Sequence, residues 1–342
     1  MPGMRLVRIP LWMVVCAGCG GPATPTAPEP PPLSGQFSLS GRVVVNQTGA
    51  PIGGATIELT QSGTGTVTTD AGGRFTVPAI GAGIVQFSAS APGHLTYSSR
   101  LQLTAPRSGF VIELIHTSAP FHLGFYREFV RNAHEALVYG PTRPWTMAPS
   151  FYLRTIVDDS GEPVDDVILD GVRRVLVNSV PELTGGRLEV AEIATGPDPG
   201  VARTGWVNVR FVEDTSTSSA SVGGNSGVMT LAYRPPGDGS DNPYGCPSWT
   251  VYVSEHEVTH TMGFWHTSQS GWEFFSQPGC PGNGRPELAR HHAAVMYSRP
   301  PGNRDPDVDA NTFAHQLLRV PGTGPIVECD AARIPGPQVT RR

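Results

Sequence analysis

The chain has 342 residues, a length that suits about two domains, and its 24 basic and 29 acidic residues give a net charge of −5. There is no basic footprint, so nucleic acid is not an expected partner. All the basic residues are arginine, and without a lysine neither a Schiff-base enzyme nor a P-loop nucleotidase can be built from this sequence.

At the amino terminus, Arg5 and Arg8 precede Ile9–Ala17, an apolar run too short to span a membrane. Residues 1–19 therefore read as an export signal. The run ends in Cys16-Ala17-Gly18-Cys19, which resembles the lipobox of bacterial lipoproteins, although Cys16 stands where an aliphatic residue is usual. The resemblance implies a lipid on Cys19, a membrane partner through that anchor, and a place in a bacterial cell envelope. An ordinary signal peptide, giving a secreted protein, is the alternative. Residues 20–33 form a Pro-rich tether, semi-rigid and extended.

From Phe37 to Leu114, apolar and polar residues alternate in short runs separated by Gly, Asn and Asp turns. The runs Gly41–Val45, Ala55–Leu59, Gly65–Thr69, Arg74–Val77, Ile84–Ala89, Tyr97–Leu103 and Phe110–Leu114 predict an all-β sandwich over residues 34–115. Ser40-Gly41-Arg42-Val43, Pro51-Ile52-Gly53-Gly54-Ala55-Thr56-Ile57, Thr69-Asp70-Ala71-Gly72-Gly73-Arg74-Phe75 and Ala91-Pro92-Gly93-His94 resemble the carboxypeptidase regulatory-like, transthyretin-like module. That resemblance implies a spacer or adhesion element without catalytic residues, and the segment holds no convergent titratable cluster.

Residues 116–335 change character. Tyr126–Val138 has helical spacing with Phe129, Ala133 and Leu137 on one face, and Val164–Val180 has Val167, Ile168, Val172, Val175 and Leu176 at helical spacing before Pro181. Candidate strands are Ser150–Ile156, Arg187–Ile193, Trp206–Val212 and Gly227–Tyr233. The expected fold is multidomain: the sandwich, then an α/β domain with a loop-rich end.

The chemistry concentrates in Ser254-Glu255-His256-Glu257-Val258-Thr259-His260-Thr261-Met262-Gly263-Phe264-Trp265-His266. Residues four apart share a helix face, so His256 and His260 can present imidazoles to one ion. Glu257 lies beside that face, in reach of a water on the metal. Gly263 suits a left-handed position that ends the helix and returns His266 as a third ligand. Three nitrogen ligands plus water is the open arrangement of a catalytic zinc.

His256-Glu257-x-x-His260-x-x-Gly263-x-x-His266 resembles the metzincin clan of zinc peptidases, and Ala294-Val295-Met296-Tyr297 is similar to that clan's methionine turn. The resemblance implies an α/β metzincin-like domain with one zinc, and Met296 packed beneath the ligands. It also implies a zinc endopeptidase that cuts peptide or protein substrates with Glu257 as general base. Trp206-Val207-Asn208-Val209-Arg210-Phe211 and Leu231-Ala232-Tyr233-Arg234-Pro235-Pro236-Gly237 resemble the matrixin-like branch. This implies that Gly227-Val228-Met229-Thr230-Leu231-Ala232-Tyr233 forms an edge strand that pairs with extended substrate. Tyr297 follows Met296 directly, so the tyrosine metal ligand of some metzincins is not carried over. No cysteine lies between Cys19 and Cys246, so latency through a thiol ligand is not supported.

Cys246, Cys280 and Cys329 allow three pairings. Cys246 with Cys280 is favoured because it would enclose the motif helix, at roughly 3–4 kcal/mol of stabilisation. Asp238 and Asp241 read as solvated loop acids rather than a calcium loop. Asp305, Asp307 and Asp309 could bind a cation or cap a helix before Thr312, the cap being favoured, and His291 and His292 read as local packing or surface residues rather than ligands. Trp272, Phe274 and Phe275 line a specificity pocket or sit in the core. A monomer is expected. The competing reading is a surface adhesion or glycan-binding lipoprotein that keeps a metalloprotease-like fold, against which the intact Glu257 argues. A third, a zinc hydrolase of non-peptide amides, is set back by the clan resemblance. Ligand histidines must be neutral, so metal content is expected to fall with acidification.

Overall fold

In this computed structural model the described residues are 35–60, 65–136, 139–213, 217–237, 248–268, 286–303 and 326–330. The signal, the tether, Cys19, Cys246, Cys280, Trp272, Phe274, Phe275, Asp238, Asp241, Asp305, Asp307, Asp309 and Thr312 lie outside them.

The amino-terminal strands are β1 (Gln36–Val45), β2 (Thr56–Leu59), β3 (Thr66–Thr68), β4 (Arg74–Gly81), β5 (Gly83–Ser90), β6 (Tyr97–Leu103) and β7 (Arg107–Leu114), one for each run read from the alternation. They form two sheets, ordered β4-β1-β7 and β3-β2-β5-β6. The alternation acts through the pleat: Val85, Phe87 and Ala89 of β5 are buried, whereas Ile84 and Gln86 face outward. The two inner faces share a core that includes Leu39, Val43, Ile57, Phe75 and Leu103.

The second half contains α1 (Leu123–Arg131), β8 (Ser150–Val157), α2 (Asp166–Leu183), β9 (Glu192–Gly196), β10 (Trp206–Glu213), β11 (Thr217–Ser221), β12 (Gly227–Tyr233), α3 (Trp249–Thr261), α4 (Glu287–Tyr297) and β13 (Ile326–Asp330). Its strands make one sheet in the order β13-β11-β12-β10-β8-β9. The last four in that order, β12, β10, β8 and β9, run parallel, and β11 is antiparallel to both β12 and β13. Helix α3 packs on β11 and β12 and against α2. Phe151, Leu153, Val207, Val209, Phe211, Met229 and Leu231 carry the sheet's buried face into a core shared with the helices.

Several expected boundaries move, each for a local reason. Helix α1 stops at Arg131 rather than Val138, because Asn132 takes φ 58 and turns its N–H back onto the carbonyls of Arg127 and Glu128. Helix α2 starts at Asp166, capped by the Asp165 carboxylate on the Val167 N–H (2.8 Å). It runs through Pro181 to Leu183, and Val167 is half exposed rather than on the buried face. The strand expected at Arg187–Ile193 begins only at Glu192, because Gly185 and Gly186, at φ 61 and 75, turn the chain first.

The largest correction concerns Gly227–Tyr233. Its bounds are as expected, but β12 is not an edge. β10 pairs along one side and β11 along the other, and the Val228 and Ala232 N–H groups donate to the hydroxyls of Ser221 and Ser218 (3.0 and 3.1 Å). Its backbone is spent within the sheet, so a substrate strand cannot add there.

Leu95 packs against the core of the second half, and polar contacts reinforce the junction. The Asn46 amide donates to Glu113 (2.6 Å) and to the Ser298 hydroxyl (2.8 Å), and Arg299 donates to the Glu113 carbonyl (2.8 Å) with its guanidinium 4.6 Å from the Tyr97 ring centre. The sandwich thus grips the residues that follow α4. Among the described residues no helix is long and apolar enough to cross a membrane.

Where α2 crosses α3, Gly171 lets the backbones approach: a Cβ there would lie 2.5 Å from one Val251 methyl and 2.9 Å from the other, both fully buried. Gly171→Ala gains helix propensity of about 1 kcal/mol but overpacks a filled site, typically at about 1–3 kcal/mol. We expect a net loss in chemical denaturation; an increase in stability would mean that the crossing has slack.

Candidate metal centre

Helix α3 begins with Ser248, whose hydroxyl accepts from the Val251 N–H (3.3 Å). Its other end lies inside the protein, where terminal carbonyls cannot turn to water. Each finds a donor. The Thr259 carbonyl accepts from Phe264 N (3.3 Å), and that of His260 from Gly263 N (2.7 Å) and Gly223 N (3.2 Å). The Thr261 carbonyl accepts from the Trp145 indole (2.7 Å), and that of Met262 from the Tyr297 hydroxyl (2.8 Å). Gly263 is required twice over: its φ is +105, and a Cβ would sit 2.6 Å from the Arg143 carbonyl oxygen.

After Gly263 the chain returns along α1. Phe264 is fully buried and stacks on Phe129 with ring centres 4.5 Å apart, and the Trp265 N–H donates to the Phe129 carbonyl (2.8 Å). This return places His266 opposite the helix. The Nε2 atoms of His256, His260 and His266 lie 3.0, 3.2 and 3.4 Å apart. Zinc about 2.0–2.1 Å from each of three nitrogens in tetrahedral geometry needs them roughly 3.3–3.4 Å apart. The donor set and its spacing therefore fit such an ion, and among the described residues this is the one group of three or more potential ligands so arranged.

The rings are oriented from behind. Nδ1 of His260 lies 2.8 Å from the Phe264 carbonyl oxygen, and Nδ1 of His266 lies 2.5 Å from Oε1 of Glu135. A ring that donates from Nδ1 leaves the Nε2 lone pair for a metal. Burial drives the His260 pKa down to about 3, so it stays neutral. The hydrogen bond to His266 holds the Glu135 carboxyl below its ordinary pKa. Glu257 follows His256 on the same helix and is fully buried.

Met296 is fully buried on the last turn of α4, its methyl 3.4 Å from where a Gly263 Cβ would be. The Tyr297 hydroxyl is committed to the Met262 carbonyl, and burial pushes its pKa well above the phenol range. The sequence reading missed Glu135, Glu128, Trp145 and the tie made by Tyr297. No spacing links them to the motif, because Trp145 and the two acids lie over a hundred positions before it in the chain.

Comparison with known proteins reaches the first half. Residues 38–112 match the carboxypeptidase regulatory-like domain. No curated protein matches the chain. Among solved structures, a streptococcal ancillary pilin is 15% identical at TM-score 0.22, over 24% of this chain and 30% of the pilin. Wild-type catechol 1,2-dioxygenase of Acinetobacter radioresistens is 14% identical at TM-score 0.21, over 25% of this chain and 53% of the enzyme. This chain spans less than two thirds of either protein.

His292 proves to be a packing residue. Its ring stacks on Phe121 (5.1 Å), Nδ1 donates to the Leu288 carbonyl (2.7 Å), and Nε2 accepts from the His122 N–H (2.9 Å). Burial lowers its pKa from 6.5 to about 4, against the Leu288 and His122 carbonyls beside the ring, which favour the charged form. Between those values the unfolded chain holds a proton that the folded chain refuses. This part of the stability is complete above pH 6.5 and is lost as pH falls towards about 4. In metal-free protein, His292→Gln should take up about one proton fewer on unfolding across that window. Identical pH slopes for the two proteins would refute the assignment.

Proposed function

We propose that the chain is an exported zinc endopeptidase whose second half is a metzincin-like α/β domain. The observation that carries this is the convergence of three Nε2 atoms to within 3.4 Å of one another, two of them on a helix that also buries Glu257. Gly263 at the end of that helix and Met296 packed against it support the clan resemblance. The run ending at Cys19 supports an envelope location through a lipid anchor.

When bound, zinc supplies Lewis acidity that polarises a carbonyl and makes water nucleophilic near neutral pH. His256, His260 and His266 would hold it, each through Nε2, with His260 kept neutral by burial. The Glu257 carboxylate takes a proton from the attacking water as its oxygen bonds to the scissile carbonyl carbon. The same group then passes that proton to the amide nitrogen, and the C–N bond breaks to give an acid and an amine. No side chain need act as nucleophile.

Wild type and Glu257→Ala, compared for metal content and in a peptide-library cleavage assay, test the reading. Both should bind one zinc, with the variant slower by about 10²-fold or more. Chelation should abolish cleavage and added zinc restore it. A variant that cleaves as fast as wild type would sink the mechanism. Zinc binding without any cleavage by wild type would overturn the peptidase reading in favour of a binding protein.

A further inference from the structure

We infer that Glu135 is a positioning residue for the metal centre: its carboxylate fixes the tautomer and the orientation of His266, and so sets zinc affinity. The inference rests on the three histidines holding a metal, and not on which reaction they serve.

His266 differs from His260 in how it is reached. His260 stands on a helix, and a backbone carbonyl only four residues along the chain holds its Nδ1. His266 lies beyond the helix end, in a segment without regular structure, so its position must be imposed from outside. That support comes from α1 and the turn that follows it. The Phe129 carbonyl takes the Trp265 N–H (2.8 Å), and Glu128 takes the Ser268 N–H (2.8 Å) and hydroxyl (2.9 Å to each oxygen). Between them Glu135 takes Nδ1 of His266 at 2.5 Å. The contacts at 265 and 268 fix the backbone, and the one at 266 fixes the ring.

The base of Glu135 is itself secured. Asn132 caps α1 in the left-handed conformation, the Ala133 N–H donates to the Arg127 carbonyl (3.0 Å), and the Ala136 N–H donates to the Asn132 carbonyl (3.0 Å). A short turn thus carries the carboxylate to the rim, where its side chain remains 38% exposed and that of His266 20% exposed. A hydrogen bond so open to solvent adds little to folding. Its effect is on the ring: an Nδ1–H held by a carboxylate presents a more basic Nε2 lone pair, in a fixed direction, to the ion.

Zinc affinity of the full-length chain, measured by competition with a chelator, should fall by roughly 10–100-fold in Glu135→Ala. Glu135→Gln, which keeps an acceptor but loses the charge, should fall between that variant and wild type. Long-range proton–nitrogen spectra of metal-free protein should show His266 protonated on Nδ1 in wild type and shifted towards Nε2 in Glu135→Ala. Glu128→Ala should leave that tautomer unmoved. Unchanged zinc affinity in Glu135→Ala would overturn the inference. So would equal losses in the Glu128 and Glu135 variants with the tautomer unmoved, since α1 would then act only through the fold. None of these readouts measures cleavage, so they stand or fall apart from the peptidase reading.

Discussion

The last turn of α3 ends in a dry interior, and the need to satisfy its carbonyls organises the second half of the molecule. Each such group left bare would cost about 1–3 kcal/mol. The donors come from four directions: the tight return at Gly263, the turn at Gly223, the Trp145 indole and the Tyr297 hydroxyl. These contacts fix where α4, the segment around Trp145 and the loop before β12 must lie. The helix that carries two of the three histidines is thereby held at its inner end from several sides. The three-histidine cluster inherits that rigidity.

The third ligand depends on a different kind of support. Phe264 joins both requirements in one residue: its ring packs on Phe129 in the core, and its carbonyl holds His260. A loop that would otherwise wander is thus tied to hydrophobic packing on one side and to ligand orientation on the other. A change of volume at Phe129 would therefore be felt at the ligands.

What could be read from the sequence follows the range of the interactions involved. The sandwich was legible because pleat alternation is local, and so was the pair His256 and His260, because four residues make one helical turn. Gly263 was legible because a left-handed stop has a residue signature. Glu135 was not, since nothing local marks an acid just beyond a helix as the partner of a histidine 131 positions later. β11, rich in Ser and Thr, carries no apolar pattern, and with β11 unseen β12 looked like an edge. The end of α1 turned on one asparagine whose left-handed conformation is permitted by its type but not required by it.

The pairing of β13 along β11 covers the side of β11 that faces away from β12, next to the helix that bears the histidines. Because β13 belongs to the same chain, it faces that edge at an effective concentration on the order of millimolar. A free extended peptide of the same intrinsic affinity would have to exceed that concentration to displace it. The arrangement also passes the outer edge of the sheet from β11 to the five residues of β13, and a short edge strand offers another chain little to template upon.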